Sequence, residues 1–237
     1  GRRNVRMEAA RKMSLELDRL GEEIEVLVGP ARKRILARRT KSGAPPVRGP
    51  VPYALWDFEK DTNDSRLGLA GKLIGNARIE GGALIVDGEG SYAVSGTLSR
   101  TIKAKTLEAW VQLDNLDQRG GGVMSIQTPD GVHFDAIVIG EREPRKWMAG
   151  SNGFRRTRSF GGEVDAEAAH RPVHLAIVYS ADGQIAAYRD GSAYGEPYQS
   201  DGPRTFNGRS TVVAFGLRHL PASGNRMLAG RIFEARL

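Results

Sequence analysis

The chain has no cysteine. No disulfide and no cysteine-ligated metal can therefore hold it together. Aromatic residues make up only 7% of the 237 residues, so a core of this chain must be largely aliphatic. No apolar run approaches the roughly 18 residues of a membrane-spanning helix, and no membrane span is expected. The four histidines, His133, His170, His174 and His219, are scattered without the spacing of a zinc site. A Gly-x-Ser-x-Gly elbow, a phosphate-binding loop and a dinucleotide fingerprint are all missing, and no nucleophile–base pair can be assembled. What is abundant is glycine, 30 residues, as a chain rich in tight turns requires. The sequence opens on Gly-Arg-Arg and reads as a segment of a longer protein.

The formal net charge is +7, and all of it lies at the front. Residues 1–48 hold 13 Lys and Arg against 6 Asp and Glu, whereas the remainder holds 22 of each. This basic stretch reads as a solvated helix face, because no nucleic-acid-binding motif accompanies it. Ala10, Met13, Leu17, Leu20, Ile24 and Leu27 step by three and four, which predicts a helix over residues 3–28 with a heptad seam. Gly29-Pro30 ends it, and a short basic helix is expected from Ala31 to Arg39. The boundaries expected are a helical segment over 1–41, a proline-rich linker over 42–52 and a β-domain over 53–237. The linker holds four prolines in eleven residues, "SGAPPVRGPVP".

From Tyr53 onward, short apolar or alternating runs recur between Gly, Asn and Asp turns. About a dozen such runs predict an all-β sandwich with no helix of length. Asp182-Gly183 and Asp190-Gly191 are hairpin signals. The final strand, "RIFEARL", predicts Ile232, Glu234 and Arg236 on one face and Phe233, Ala235 and Leu237 on the other.

Several stretches in order, "LWDFEKDTNDSRLG", "GGALIVDGEGSYAV", "KTLEAWVQL", "RPVHLAIVYSADGQIAAYRDGSAYG" and "LAGRIFEARL", resemble a laminin-G-like, concanavalin A-like jelly roll over residues 53–237. The resemblance implies a strand with a buried tryptophan in "KTLEAWVQL" and a last strand beside the first. The helical start, linker and sandwich together also resemble the middle of large secreted planctomycete proteins that join cytochrome-like domains to such a module. That implies export, a glycan-rich setting and neighbouring domains of a parent chain as partners, with the heptad seam packed on one of them.

Three groups of residues are candidates for function. The run Glu163-Val-Asp165-Ala-Glu167 would place three carboxylates on one face if it were a strand, as in a concanavalin A-like glycoside hydrolase using Glu163 and Glu167. Its flanks favour a loop: two glycines precede it, and the apolar strand begins only at Val173. Asp64, in an acidic turn, is a candidate calcium ligand by the resemblance. The segment 141–162 is the least core-like part of the sandwich. Trp147, Asn152, Phe154, Arg155, Arg156 and Arg158 are the ligand-binding candidates there, aromatic faces for sugars and arginines for acidic groups. The expectation is a non-catalytic binding module that recognises a carbohydrate, an acidic glycan included, or a protein surface through loops at the sandwich edge. A structural spacer packing on its parent is the remaining alternative.

Overall fold

The computed structural model describes residues 50–237 throughout and, before them, residues 6–8, 11–13, 16, 19 and 20. The chain separates into two units, Gly1–Val51 and Pro52–Leu237. In the first unit residues 6–8, 11–13, 16, 19 and 20 are helical, and Met13 and Leu20 of the heptad seam are exposed. The second basic helix and most of the linker lie outside the described residues.

The second unit is a sandwich of two antiparallel sheets, as the turn-punctuated pattern predicts. Sheet I is ordered β12 (Ser192–Ala193), β11 (Gln184–Arg189), β10 (Val173–Tyr179), β6 (Lys105–Leu113), β15 (Ala229–Arg236), β4 (Leu84–Asp87), β3 (Arg78–Ile79). Two short strands join it: β1 (Leu55–Trp56) beside β15, and β13 (Tyr198–Gln199) beside β11. Sheet II is ordered β2 (Gly71–Ile74), β5 (Tyr92–Ser95), β14 (Val212–Phe215), β7 (Gly121–Gln127), β8 (Phe134–Ile139), β9 (Trp147–Ser151). Among the described residues of this unit, helix is confined to the 3-10 turns Asn152–Phe154 and Gly224–Arg226.

Sheet I is half-buried, and its strands alternate accordingly. In β6, Leu107, Ala109, Val111 and Leu113 enter the core while Thr106, Glu108, Trp110 and Gln112 face outward. Trp56, Phe58, Phe215, Met124, Ile126 and Ile137 fill the space between the sheets. Such apolar burial supplies most of the stabilisation, about 25 cal/mol per Å².

Two expectations fail here, and both concern which face a residue occupies. Trp110 is not a core residue. It lies half-buried on the outer face of sheet I, its ring 4.2 Å from that of His174 and 4.6 Å from the Arg236 guanidinium. Register puts it there, because Trp110 pairs with His174 and Glu234 across the neighbouring strands. The alternation of "RIFEARL" also breaks. A bulge between Ile232 and Glu234 inserts one residue, so Ile232 and Ala235 are both buried while Phe233 and Glu234 are only partly covered.

Sheet II differs from sheet I. Every residue of β7, β8 and β9 is buried. Ile137, Ile139, Trp147 and Ala149 face the inter-sheet core, and the alternate residues Phe134, Ala136, Val138 and Met148 form a second cluster on the opposite face. That outer face is covered because the chain after β14 folds back over it. The Ser125 hydroxyl donates to the Leu217 carbonyl at 3.2 Å, and the Leu220 amide donates to Gln127 Oε1 at 2.8 Å. The sandwich closes on itself beside β1: the Tyr53 amide donates to the Leu237 carbonyl at 2.7 Å, and the Leu237 amide to the Ala54 carbonyl at 3.0 Å.

Candidate functional site

The acidic run 163–167 lies in the loop between β9 and β10, as its flanks favour. Asp165 is its structural centre. Its carboxylate, fully buried, accepts the Trp147 indole N–H at 2.6 Å and Arg189 Nε at 2.8 Å on Oδ2. Oδ1 accepts the Glu167 and Ala168 amides at 2.9 and 2.8 Å and Arg189 Nη2 at 3.2 Å. Burial alone would raise the pKa of this group. The bonds from Arg189, Trp147 and the two amides reverse that, and it lies below its ordinary 3.8. Glu167 is exposed and held below its ordinary 4.5 by Arg171 and Arg189. The Glu163 side chain is exposed, and its backbone carbonyl accepts the Tyr194 hydroxyl at 2.6 Å. A retaining glycosidase needs one carboxyl kept protonated. Asp165 and Glu167 are shifted the opposite way, and through Trp147 and Arg189 the Asp165 carboxylate braces β9 and β11.

Asp64 is likewise a brace. It is 2% exposed, and its oxygens accept the amides of Leu55, Arg66 and Leu67, which folds the acidic turn onto β1. No cluster of three or more His, Asp or Glu with metal-binding proximity occurs among the described residues.

The ligand-binding candidates divide into two groups. Trp147 is 2% exposed, its ring in the core between the sheets, where no sugar can reach it. Arg156 is 7% exposed and also points inward. Its Nε donates to Asp135 Oδ1 at 2.8 Å, and its Nη2 to the Phe134 carbonyl at 3.2 Å and Asn152 Oδ1 at 3.1 Å. Asp135 also pairs with Lys105 at 2.7 Å, both side chains essentially fully buried. This inter-sheet triad pins the 152–156 turn to the sandwich. Both residues are therefore positioned for structure rather than contact. Asn152, Phe154, Arg155 and Arg158 remain at the surface of the same turn.

Asn152 and Phe154 line a cleft of about 420 Å³ on the outer face of sheet II. Phe134 and Ser151 line its floor side, and the walls include Asp130 and Val132 of the β7–β8 turn and residues Arg218, His219 and Arg226 after β14. Phe154 is 47% exposed. Gly153 and Phe154 both take left-handed backbone conformations, with φ of 58° and 55°. For phenylalanine this is an uncommon and strained state. The Arg142 guanidinium lies 5.3 Å from the Phe154 ring centre. His219 stacks on Phe134 at 4.3 Å, and burial lowers its pKa from 6.5.

The sequence reading missed Glu141, Arg218, His219 and Arg226. The available signal was "GLRHLP", two basic residues directly after the apolar run of β14. Only the register of β14 with β7, and of β7 with β8, carries them to the Phe154 turn.

Among curated protein sequences none matches this chain significantly. Among solved structures, domain 4 of AbnA, an extracellular GH43 arabinanase from Geobacillus stearothermophilus in complex with arabinotriose, is similar with a TM-score of 0.62. It shares 17% identity over 78% of this chain and 90% of that one. A Trypanosoma rangeli sialidase in complex with sialic acid has a TM-score of 0.52 and 14% identity, over 78% of this chain and 31% of that one. A botulinum neurotoxin type C structure concerned with interaction with two ganglioside molecules has a TM-score of 0.52 and 9% identity, over 78% and 46%. At these identities the likeness shows the fold, a concanavalin A-like jelly-roll sandwich. A laminin G family model, described as the Concanavalin A-like lectin/glucanases superfamily, matches residues 87–237. Well over half of the sequence is covered by that match, and the chain belongs to this superfamily.

Proposed function

We propose that the sandwich is a non-catalytic carbohydrate-binding module of an exported parent protein, and that it holds an acidic glycan in the cleft over sheet II. The observation that carries this reading is Phe154. A large apolar ring stands 47% exposed at the mouth of a cleft, in a backbone state that costs a phenylalanine about 1–2 kcal/mol. The ring is presented by a turn that a buried arginine anchors from beneath. Rigid scaffolds commonly display ligand contacts in this way. Aromatic rings of this kind pack on the C–H face of a pyranose.

Charge favours an acidic sugar. Arg142, Arg155 and Arg158 are exposed around the turn, and Arg226 lines the facing wall. Fork-shaped guanidinium groups recognise carboxylate and sulfate. The superfamily description, with its lectins and glucanases, and the sugar complexes of the similar structures support a glycan ligand. The acidic run supports a binding role over hydrolysis, since its carboxylates are engaged by Arg171, Arg189 and Trp147.

The test is calorimetric titration with a galacturonic acid oligomer, a sulfated heparin hexasaccharide and neutral maltohexaose. Binding of an acidic probe, at least tenfold weaker in Phe154→Ala with the unfolding transition unmoved, is the expected result. Equal affinity in Phe154→Ala would remove the cleft from the proposal. Release of reducing sugar by the wild type would replace a module with an enzyme.

A further inference from the structure

Arg218 differs from the other cations of the cleft. Its backbone crosses directly over Gly122, where an added Cβ would lie 2.3 Å from the Arg218 Cα and N. Only glycine lets the chain approach so closely. The residue is 7% exposed, yet it lines the cleft. Nη2 donates to Asn225 Oδ1 at 3.1 Å, Nη1 is ion-paired with Glu141, and Nε has no hydrogen-bond partner among the described residues. Buried guanidinium donors are normally satisfied, so Arg218, which lines the cleft, has donor capacity that its protein partners do not use.

Glu141 also lines the cleft, and its side chain is 10% exposed. A carboxylate on a guanidinium has the same chemistry as an acidic sugar in that position. We propose that Arg218 is the seat for an anionic group of the ligand, a carboxylate or a sulfate ester, and that Glu141 occupies this seat until it takes up a proton. The proposal rests on the glycan reading above and adds to it both the recognised group and its regulation. In the exchange, the ligand anion takes the guanidinium from the Glu141 carboxylate, and one proton from solvent neutralises the released carboxylate. No covalent bond to a heavy atom changes.

The surroundings of Glu141 suit this role. From the loop between β8 and β9 it faces Arg218, which lies after β14, and it is beside Arg142 in its own loop. Arg226, also after β14, acts on Arg218, and Asp130 of the β7–β8 turn and His219 line the cleft. Burial raises the Glu141 pKa above 4.5 more than Arg218 and Arg142 lower it. Anion binding therefore strengthens as pH falls, by up to about tenfold per pH unit for one proton taken up.

The experiment is titration calorimetry of the whole chain from pH 7.5 to 5.0, in pairs of buffers that differ in ionisation enthalpy. The probes are the heparin hexasaccharide, whose sulfates stay charged throughout, the galacturonic acid oligomer and maltohexaose. The wild type is expected to take up about one proton with the sulfated probe and to bind it progressively tighter as pH falls. A carboxylate as the favoured anion would instead show the galacturonic oligomer ahead at pH 5.0. Glu141→Gln is expected to bind about tenfold tighter than wild type at pH 7.5, without a pH slope. His219→Gln keeps the slope, and Arg218→Gln loses binding of the acidic probes. Zero proton uptake by the wild type, or an unchanged slope in Glu141→Gln, overturns the gate, and the wild-type proton count decides if that variant fails to fold. Binding of maltohexaose but no acidic probe overturns the anion seat and leaves a module. Binding of no glycan overturns both readings.

Discussion

Replacing Asp165 with asparagine separates a brace from a catalytic group. Asparagine keeps the shape of the side chain but turns one oxygen into an N–H donor. If that donor takes the place of Oδ2, it faces the Trp147 indole N–H and Arg189 Nε. If it takes the place of Oδ1, it faces the Glu167 and Ala168 amides and Arg189 Nη2. In either orientation donors meet donors, and Arg189, at 20% side-chain exposure, loses its most buried anion. Removing one partner of a buried pair costs about 3–5 kcal/mol. Arg189 retains Glu167 and Asp190, so the lower end applies, about 3 kcal/mol. In a domain of this size that lowers the thermal midpoint by about 6–12 °C. The loss also depends on pH. The folded-state pKa of Asp165 lies below 3.8, so its contribution is complete above the unfolded value and fades as pH falls through the folded one. Urea unfolding at pH 7 and at pH 3 measures both effects. A change below about 1 kcal/mol at pH 7, or a gap between variant and wild type that grows toward pH 3, would refute the brace.

Further outcomes follow from the same geometry. Trp147→Ala should lower stability by about 3–5 kcal/mol in chemical unfolding, because it empties a core position rather than a surface one. Asp135→Ala, which strands Lys105 and Arg156 as buried unpaired cations, should cost about 3–5 kcal/mol, whereas Lys105→Met leaves the Asp135–Arg156 pair and should cost about 1 kcal/mol or less. Phe154→Gly should leave stability within about 1 kcal/mol of wild type, as relief of the left-handed φ offsets lost contact, while removing the binding ring.

Much of the architecture was legible because sheet I obeys the simple rule. Its outer face meets solvent, so β6 alternates and its sequence declares a strand. The Asp182-Gly183 and Asp190-Gly191 turns, and the loop at 163–167, were readable from local chemistry alone. Which tryptophan is inside was not. Trp110 and Trp147 both sit in apolar runs, and the parity of Trp110 depends on register with β10 and β15, far away in sequence. The bulge in β15 reverses parity within a strand, and nothing in "RIFEARL" announces it. Sheet II hides its faces for another reason. The chain after β14 roofs its outer side, so β7 to β9 lose the alternation that would mark an exposed cleft wall. Arg156 and Arg158 look identical in sequence, yet only Arg156 meets Asp135.

The pairing of Tyr53 with Leu237 gives the sandwich a practical geometry for fusion. Its two ends emerge side by side, at the spacing of one hydrogen bond. Spliced into a hairpin turn of a carrier enzyme, it would leave the carrier's own strand ends almost undisplaced. Joined head to tail by a few glycines, it would tolerate new openings at exposed turns such as Ala181-Asp182, between β10 and β11.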